Sequence, residues 1–153
     1  MKLVYQVTRN NGGIVIRFGA MITRDSGPHD VYLNSGMDTF SSSPKGFFNQ
    51  QHYDDAAGAV MSALLAKKAP AEGSTYLASD GIPVSRIELC KEAKECPDYK
   101  DAKIPTFTGE GVDGKQYDTG KIQRELGWTP KFPFAKFMKY LFDQEMQCQD
   151  LYC

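Results

Sequence analysis

The chain has 153 residues, 41% of them hydrophobic, with 18 basic and 19 acidic side chains and a formal net charge of −1. That length suits one domain with a sizeable core, and the even charge balance gives no electrostatic basis for binding nucleic acid or an anionic membrane. No apolar run is long enough to span a bilayer, and Met1 to Val7 lacks the apolar core of a signal peptide.

Leu3, Val4 and Val7 predict the end of a helix, terminated by Asn10-Asn11-Gly12-Gly13. Ile14-Val15-Ile16-Arg17-Phe18 is a continuous β-branched run, which predicts a strand buried on both faces. Gly19 to Gly46 is rich in turn formers and small polar residues, with Asp25-Ser26-Gly27-Pro28, Asn34-Ser35-Gly36 and Ser41-Ser42-Ser43-Pro44. It reads as a long functional or mobile loop. A helix follows, with Asp54 or Asp55 capping its start and meeting the positive end of its dipole. Ala57, Val60, Met61, Leu64 and Leu65 fall at helical spacing on one face. Lys67 and Lys68 suit the C-terminal end, and Pro70 stops the helix. The two aspartates read as helix-capping acids; a metal or shared-proton pair needs further ligands that the next turn lacks.

Ser74 to Ser79 predicts a short strand, followed by the turn Asp80-Gly81-Ile82-Pro83. Ser85 and Glu88 have capping-box spacing for a helix carrying Ile87, Cys90 and Ala93 and ended by Pro97. Ile104 to Thr108 reads as an edge-like extended piece, because Pro105 cannot donate to a ladder. Asp118 or Thr119 caps a short helix with Ile122 and Leu126, and Gly127 and Pro130 end it. Trp128 reads as a packing anchor. Phe134, Phe137, Met138 and Leu141 predict a last amphipathic helix within a domain of residues 1–142, and 143–153 form a polar tail. Strands alternate with helices, so the class is α/β.

Four cysteines, Cys90, Cys96, Cys148 and Cys153, match no zinc spacing. Cys90 reads as a reduced core thiol. Cys148 and Cys153 are free in a reducing compartment or pair in an oxidising one; the reducing case is favoured, in the cytoplasm or an organelle stroma or matrix. Gly109-Glu110-Gly111-Val112-Asp113-Gly114 has dinucleotide-turn spacing but follows a Pro-broken strand and runs into Lys115-Gln116-Tyr117, so it reads as a loop. Neither Gly114-Lys115-Gln116 nor Gly120-Lys121-Ile122 completes a phosphate loop. His29 and His52 are too few and too separated for a metal site, and no serine sits in a nucleophile elbow. No catalytic or metal-ligating residue is assigned.

Three pieces, in order, resemble the C-terminal half of the extended short-chain dehydrogenase/reductases, the NAD-dependent epimerase/dehydratase family. Ile14 to Gly19 resembles the strand and loop after the family's Tyr-x-x-x-Lys helix. Phe48 to Val60 resembles its Asn-Arg-Ile-His-Val-Asp-Asp helix entry. Gly114 to Pro130, with Leu126-Gly127-Trp128-Thr129-Pro130, resembles its closing segment, and Gly81 to Ser85 adds a weaker match. The resemblance implies a partial Rossmann-like, doubly wound fold with the small substrate-binding subdomain. It implies an NAD(P)-using epimerase, dehydratase or reductase acting on a sugar nucleotide. It places Phe18, Gly19, Ala20 and Met21 by the nicotinamide end of NAD(P), and Asn49, Gln50 and the Gly19–Gly46 stretch along the substrate cleft. Arg17 either pairs with an acid at the strand end or contacts cofactor or substrate.

The sequence departs from the family pattern at four places. It has no Gly-rich turn between strand and helix, and Tyr5 is followed four residues on by Arg9 rather than Lys. Ile22 to Pro28 replaces a Tyr-Gly-Pro-Gly loop, and Gln50 replaces an arginine, weakening any phosphate contact. Two functions fit this pattern. One is the substrate-binding portion of such an oxidoreductase, inactive as this chain alone. The other is a non-catalytic structural or interaction subunit that kept the scaffold, with a protein partner covering the Ile14–Phe18 strand.

Overall fold

Four pairs of short strands carry the fold in the computed structural model, which describes residues 13–66 and 71–139. Branching at Cβ stiffens the chain after Gly13, and β1 forms at Val15–Phe18, parallel to β6 (Thr75–Ala78). β2 (Ala20–Ile22) runs parallel to β5 (Gln50–His52), with Ala20 opposite Gln50. β3 (Thr39–Phe40) is parallel to β8 (Thr106–Phe107), and β4 (Phe47–Phe48) is antiparallel to β7 (Val84–Ser85). Helices α1 (Pro28–Asn34), α2 (Tyr53–Leu64), α3 (Arg86–Ala93), α4 (Gly120–Leu126) and α5 (134–139) separate or follow them. Parallel pairs need helical crossovers, so the class is the expected α/β.

Two hydrophobic clusters hold these pieces. One joins Ala59, Tyr76, Ala78, Ile122, Leu126 and Trp128 beneath β1, β6, α2 and α4. The other gathers Ile22, Leu33, Leu89, Cys90, Tyr99 and Phe134 around α1 and α3. Tyr32 anchors the second cluster's aromatic edge, with ring centroids 4.9 Å from Phe40 and 5.2 Å from Phe107.

Several local expectations stand. Ser85 and Glu88 form both halves of the capping box. Gly127 takes the left-handed conformation, φ 64°, at the end of α4. Asp118 accepts the Gly120 N–H at 2.8 Å, so it caps α4 while Thr119 makes no side-chain cap bond. Trp128 is buried, and Cys90 is a buried thiol whose pKa burial pushes up to about 11. Gly109 to Gly114 is a loop.

Five expectations are corrected. The Ile14–Phe18 strand is half-buried, with Arg17 exposed, and among the described residues only β6 pairs with it. Gly19 to Gly46 is not one loop: β2, α1 and β3 lie in it, because Pro28 occupies the first turn of a helix, where its missing N–H costs nothing. The cap of α2 is His52, whose Nδ1 accepts the Asp54 N–H at 3.2 Å. The face of α2 carrying Val60, Met61, Leu64 and Leu65 points outward, while Ala56 and Ala59 are buried. Pro97 opens a 3₁₀ turn (Pro97–Tyr99) rather than ending α3 directly. The expected helix at Leu3–Val7, the stop at Lys67–Pro70, Leu141, the tail and its two cysteines lie outside the described residues.

Asp55 does structural work of another kind. Its buried carboxylate accepts the Lys131 and Phe132 N–H groups, both at 2.8 Å, and ties α2 to the segment entering α5. Asp55→Ala is expected to destabilise the chain by about 1–3 kcal/mol, since two N–H groups lose their acceptor. The same change at exposed Asp54 is expected to leave it within about 0.5 kcal/mol. Urea unfolding of the two variants checks the contrast.

Candidate functional site

The site is built where the chain changes partner strands. The Gly19 N–H donates to the Ala78 carbonyl at 2.9 Å, and one residue later the Ala20 N–H donates to the Asn49 carbonyl at 2.6 Å. Asn49 therefore lies hard against Gly19: a Cβ built there would sit 2.7 Å from the Asn49 carbonyl carbon. Only a residue without a side chain allows this approach.

Around that junction β5 is buried along its whole length. The Asp80 N–H donates to the Gln50 carbonyl at 2.7 Å, which brings the turn after β6 against β5. Asn49 uses both ends of its amide on the 115–117 segment: the Nδ2 group donates to the Lys115 carbonyl, and Oδ1 accepts the Tyr117 N–H at 2.7 Å. Gln50 is fully buried, and neither its Oε1 nor its Nε2 has a protein partner. A buried amide without partners is costly, and it leaves hydrogen-bonding capacity unused at the junction. Gln51 Oε1 is likewise unpartnered.

The residues singled out by the sequence are thus partly brought together. Gly19, Ala20, Asn49 and Gln50 meet at the junction, and Met21 lies opposite Gln51. Phe18 ends β1 and packs on the Ala59–Trp128 cluster. Arg17 alternates with Ile16 and Phe18, so it projects from the other side of β1 and is exposed. It stands apart from the buried junction. The Phe18–Met21 run offers no phosphate-holding group, and the space beside Gly19 is filled by Asn49 backbone. These residues offer apolar and backbone contacts suited to one end of a dinucleotide.

Asp80 was not legible as part of the site. Asp80-Gly81 reads as a turn, yet the carboxylate is buried and accepts the Ile82 N–H at 3.1 Å and the Phe134 N–H at 3.3 Å. Desolvation raises its pKa above the usual carboxylate range, and nearby Asp55 adds to this, against the pull of its hydrogen bonds. Arg86 was missed as well. It donates to the Ser43 carbonyl at 2.9 Å, to the Tyr32 hydroxyl at 3.2 Å and, fork to fork, to Asp113 at 2.5 and 3.0 Å. It fastens the 111–114 loop beside β4. Among the described residues no group of three or more metal-ligating side chains converges, and no helix is long and apolar enough to cross a membrane.

No protein-family model and no curated protein sequence matches the chain. Solved structures do. UDP-glucose 4-epimerase from Thermotoga maritima, solved with UDP-glucose, matches with a TM-score of 0.64 at 15% identity, over 97% of this chain and 51% of its own. UDP-glucuronic acid 4-epimerase from Bacillus cereus, in complex with a fluorinated UDP sugar and NAD, matches at 0.69 and 13% identity, over 96% and 50%. The dTDP-glucose 4,6-dehydratase of Bacillus anthracis, in complex with NAD, matches at 0.66 and 14% identity, over 95% and 48%. The chain has a Rossmann-like α/β fold matching about half of each of these structures. It spans about half the length of the structures that it matches, so the expected partial doubly wound fold holds.

Two changes test this half-fold's junction. Gly19→Ala is expected to cost about 1–3 kcal/mol, because the new methyl overpacks against backbone that has no rotamer to change; a lowered thermal midpoint with an unchanged far-UV spectrum is the expected readout. For Asp80, a raised folded-state pKa means that its stabilising contribution is full below the ordinary aspartate value and is lost as pH rises through the raised one. Wild type is therefore expected to lose stability relative to Asp80→Asn across that window, and a flat difference in urea midpoints between pH 3 and 8 would refute the assignment.

Proposed function

We propose that this chain is the substrate-binding portion of an NAD(P)-dependent epimerase/dehydratase-like oxidoreductase acting on a sugar nucleotide. The observation that carries the reading is the match of nearly the whole chain to half of enzymes solved with UDP sugars and NAD. The orphaned Gln50 amide beside the Gly19 junction supports it from the chain's own residues. In this reading Gln50 hydrogen-bonds the bound sugar nucleotide, and Asn49 holds the 115–117 segment as the cleft wall. Phe18, Gly19, Ala20 and Met21 border the nicotinamide. NAD(P), held mainly by another segment, supplies hydride chemistry. This chain's residues bind and orient the substrate and exclude water from it. A reducing compartment suits the buried thiols Cys90 and Cys96.

The outward apolar face of α2 favours a second reading, a non-catalytic subunit that kept the scaffold to hold a partner. Titration of UDP-glucose into the chain, followed by NMR amide shifts, separates the two. A Kd on the order of 1 mM, with shifts centred on residues 19–21 and 49–51 and lost in Gln50→Ala, is expected. Shifts scattered over the surface, or no binding at saturating ligand, would sink the substrate reading in favour of the scaffold one.

A further inference from the structure

His29 is the second residue of α1, and its ring is fully buried. Nε2 lies 3.2 Å from the Arg24 carbonyl. A carbonyl oxygen only accepts, so Nε2 carries the proton in the neutral ring and Nδ1 keeps a bare lone pair. Nδ1 has no partner among the described residues. It lies against Gly27, 3.1 Å from where a Cβ would stand, and Ile22 Cγ2 is 3.0 Å from the same point. Tyr99 and Phe134 close the pocket, with ring centroids 5.3 and 5.2 Å from that of His29.

One ring therefore joins the turn after β2, α1, the 3₁₀ turn at Pro97–Tyr99 and the start of α5. The Arg24 carbonyl is the hub. It meets His29 Nε2 and also the Tyr99 hydroxyl, at 3.1 Å, which reaches Asp30 at 3.2 Å. Around the ring stand Asp25 and Asp30 from the turn and helix, Arg24 forked onto Asp98 at 2.5 and 2.8 Å, and Tyr99 with buried Cys96 beside it. β2 contributes apolar Ile22, and α5 contributes Phe134, whose N–H is held by Asp80. Burial pushes the His29 pKa below the ordinary histidine range, against the Arg24 carbonyl and the two nearby aspartates, which favour the charged ring.

A proton taken from water onto Nδ1 would set a charged N–H against Gly27 and the Ile22 methyl, with no acceptor in place. A buried charge without a partner is not tolerated, so the ring must leave its pocket. We propose that His29 is an acid-released pin: gain of a second ring proton parts α1 from the 3₁₀ turn and from α5 while the rest of the fold stays packed. The opening is local because Ile22, Leu33, Tyr99 and Phe134 belong to one hydrophobic cluster, and Tyr76, Ile122 and Trp128 to another. A lowered folded-state pKa means that the contribution of His29 is full above the ordinary value of about 6.5 and is lost as pH falls through the lowered one. This is opposite in sign to Asp80, whose contribution is lost as pH rises.

The test is amide hydrogen exchange of the full chain at about pH 7.5 and about pH 5.5, corrected for intrinsic rates. Opening that takes up one proton becomes about tenfold more favourable per pH unit below the free-histidine value. Amides of residues 29–34 and of Tyr99 are therefore expected to exchange about tenfold faster at the lower pH, and those of Val15–Phe18 and Thr75–Ala78 to stay unchanged. His29→Phe keeps an apolar ring in the pocket and cannot titrate, so it is expected to abolish the difference. Equal acceleration in His29→Phe assigns the change to the neighbouring carboxylates and overturns the pin. Equal acceleration throughout the chain, or none in α1, overturns it as well. Ring NMR of the wild type decides the matter even where the variant does not fold. The expected spectrum has His29 protonated at Nε2 alone at neutral pH, with one titration step below that of free histidine accompanying the faster exchange. A His29 ring that titrates as free histidine does, or that gains its proton without faster exchange in α1, refutes the proposal.

Discussion

The rest of the structure depends on one close backbone contact, that of Gly19 with Asn49. Within two residues the chain hands its hydrogen bonds from Ala78 on β6 to Asn49 before β5. That exchange sets the register of β2 on β5, with Ala20 opposite Gln50 and Ile22 opposite His52. Register then decides what each later residue does. It delivers His52 to the first turn of α2, where the ring caps the helix and packs 4.5 Å from Phe137. It also sets the Gln50 carbonyl where the Asp80 N–H reaches it. A one-residue slip would turn every β5 side chain to the opposite face, so a missing Cβ at position 19 governs an arrangement that reaches α5.

Two buried carboxylates carry that arrangement to the end of the described chain. Asp55 and Asp80 both bind backbone N–H groups of the 131–134 segment. An ionised carboxylate in an apolar surround is tolerated only where it is so paired. Asp55 has both oxygens on N–H groups at 2.8 Å, while Asp80 accepts the Ile82 N–H at 3.1 Å and the Phe134 N–H at 3.3 Å and shares its neighbourhood with Asp55. The direction of its pKa follows from that difference: desolvation outweighs the hydrogen bonds. Both acids thus tie the 131–134 segment to α2 and to the turn after β6.

What was legible in the sequence was local. The Ser85–Glu88 capping box, the left-handed Gly127 and the strand at Thr75–Ala78 depend on residues a few positions apart, and each formed as expected. Motif order also carried far, since it placed the chain on the correct half-fold at identities too low for any sequence match. What was not legible was tertiary choice. The period of α2 correctly gave an apolar stripe, but the side facing inward was decided by the small residues Ala56 and Ala59, which let the helix lie close to β1 and Tyr76. Asp55 read as a helix cap because its partners, 76 and 77 residues away, leave no local trace. α1 was hidden because Pro28 signals a turn and a helix start equally well.

The outward apolar stripe of α2 and the orphaned Gln50 amide are two features that the described residues leave unsatisfied. Each leaves free energy unrealised: apolar area kept in water and an amide without a hydrogen bond among the described residues. Each is also adjacent to the Gly19 hand-over, through β1 on one side and β5 on the other. A partner that binds the folded chain and not the unfolded one stabilises it by mass action, about 2.7 kcal/mol at a hundred times its Kd. For a small α/β unit that is a large share of total stability. A ligand that supplied a partner for the Gln50 amide would therefore couple its own binding to the stability of the Gly19 junction.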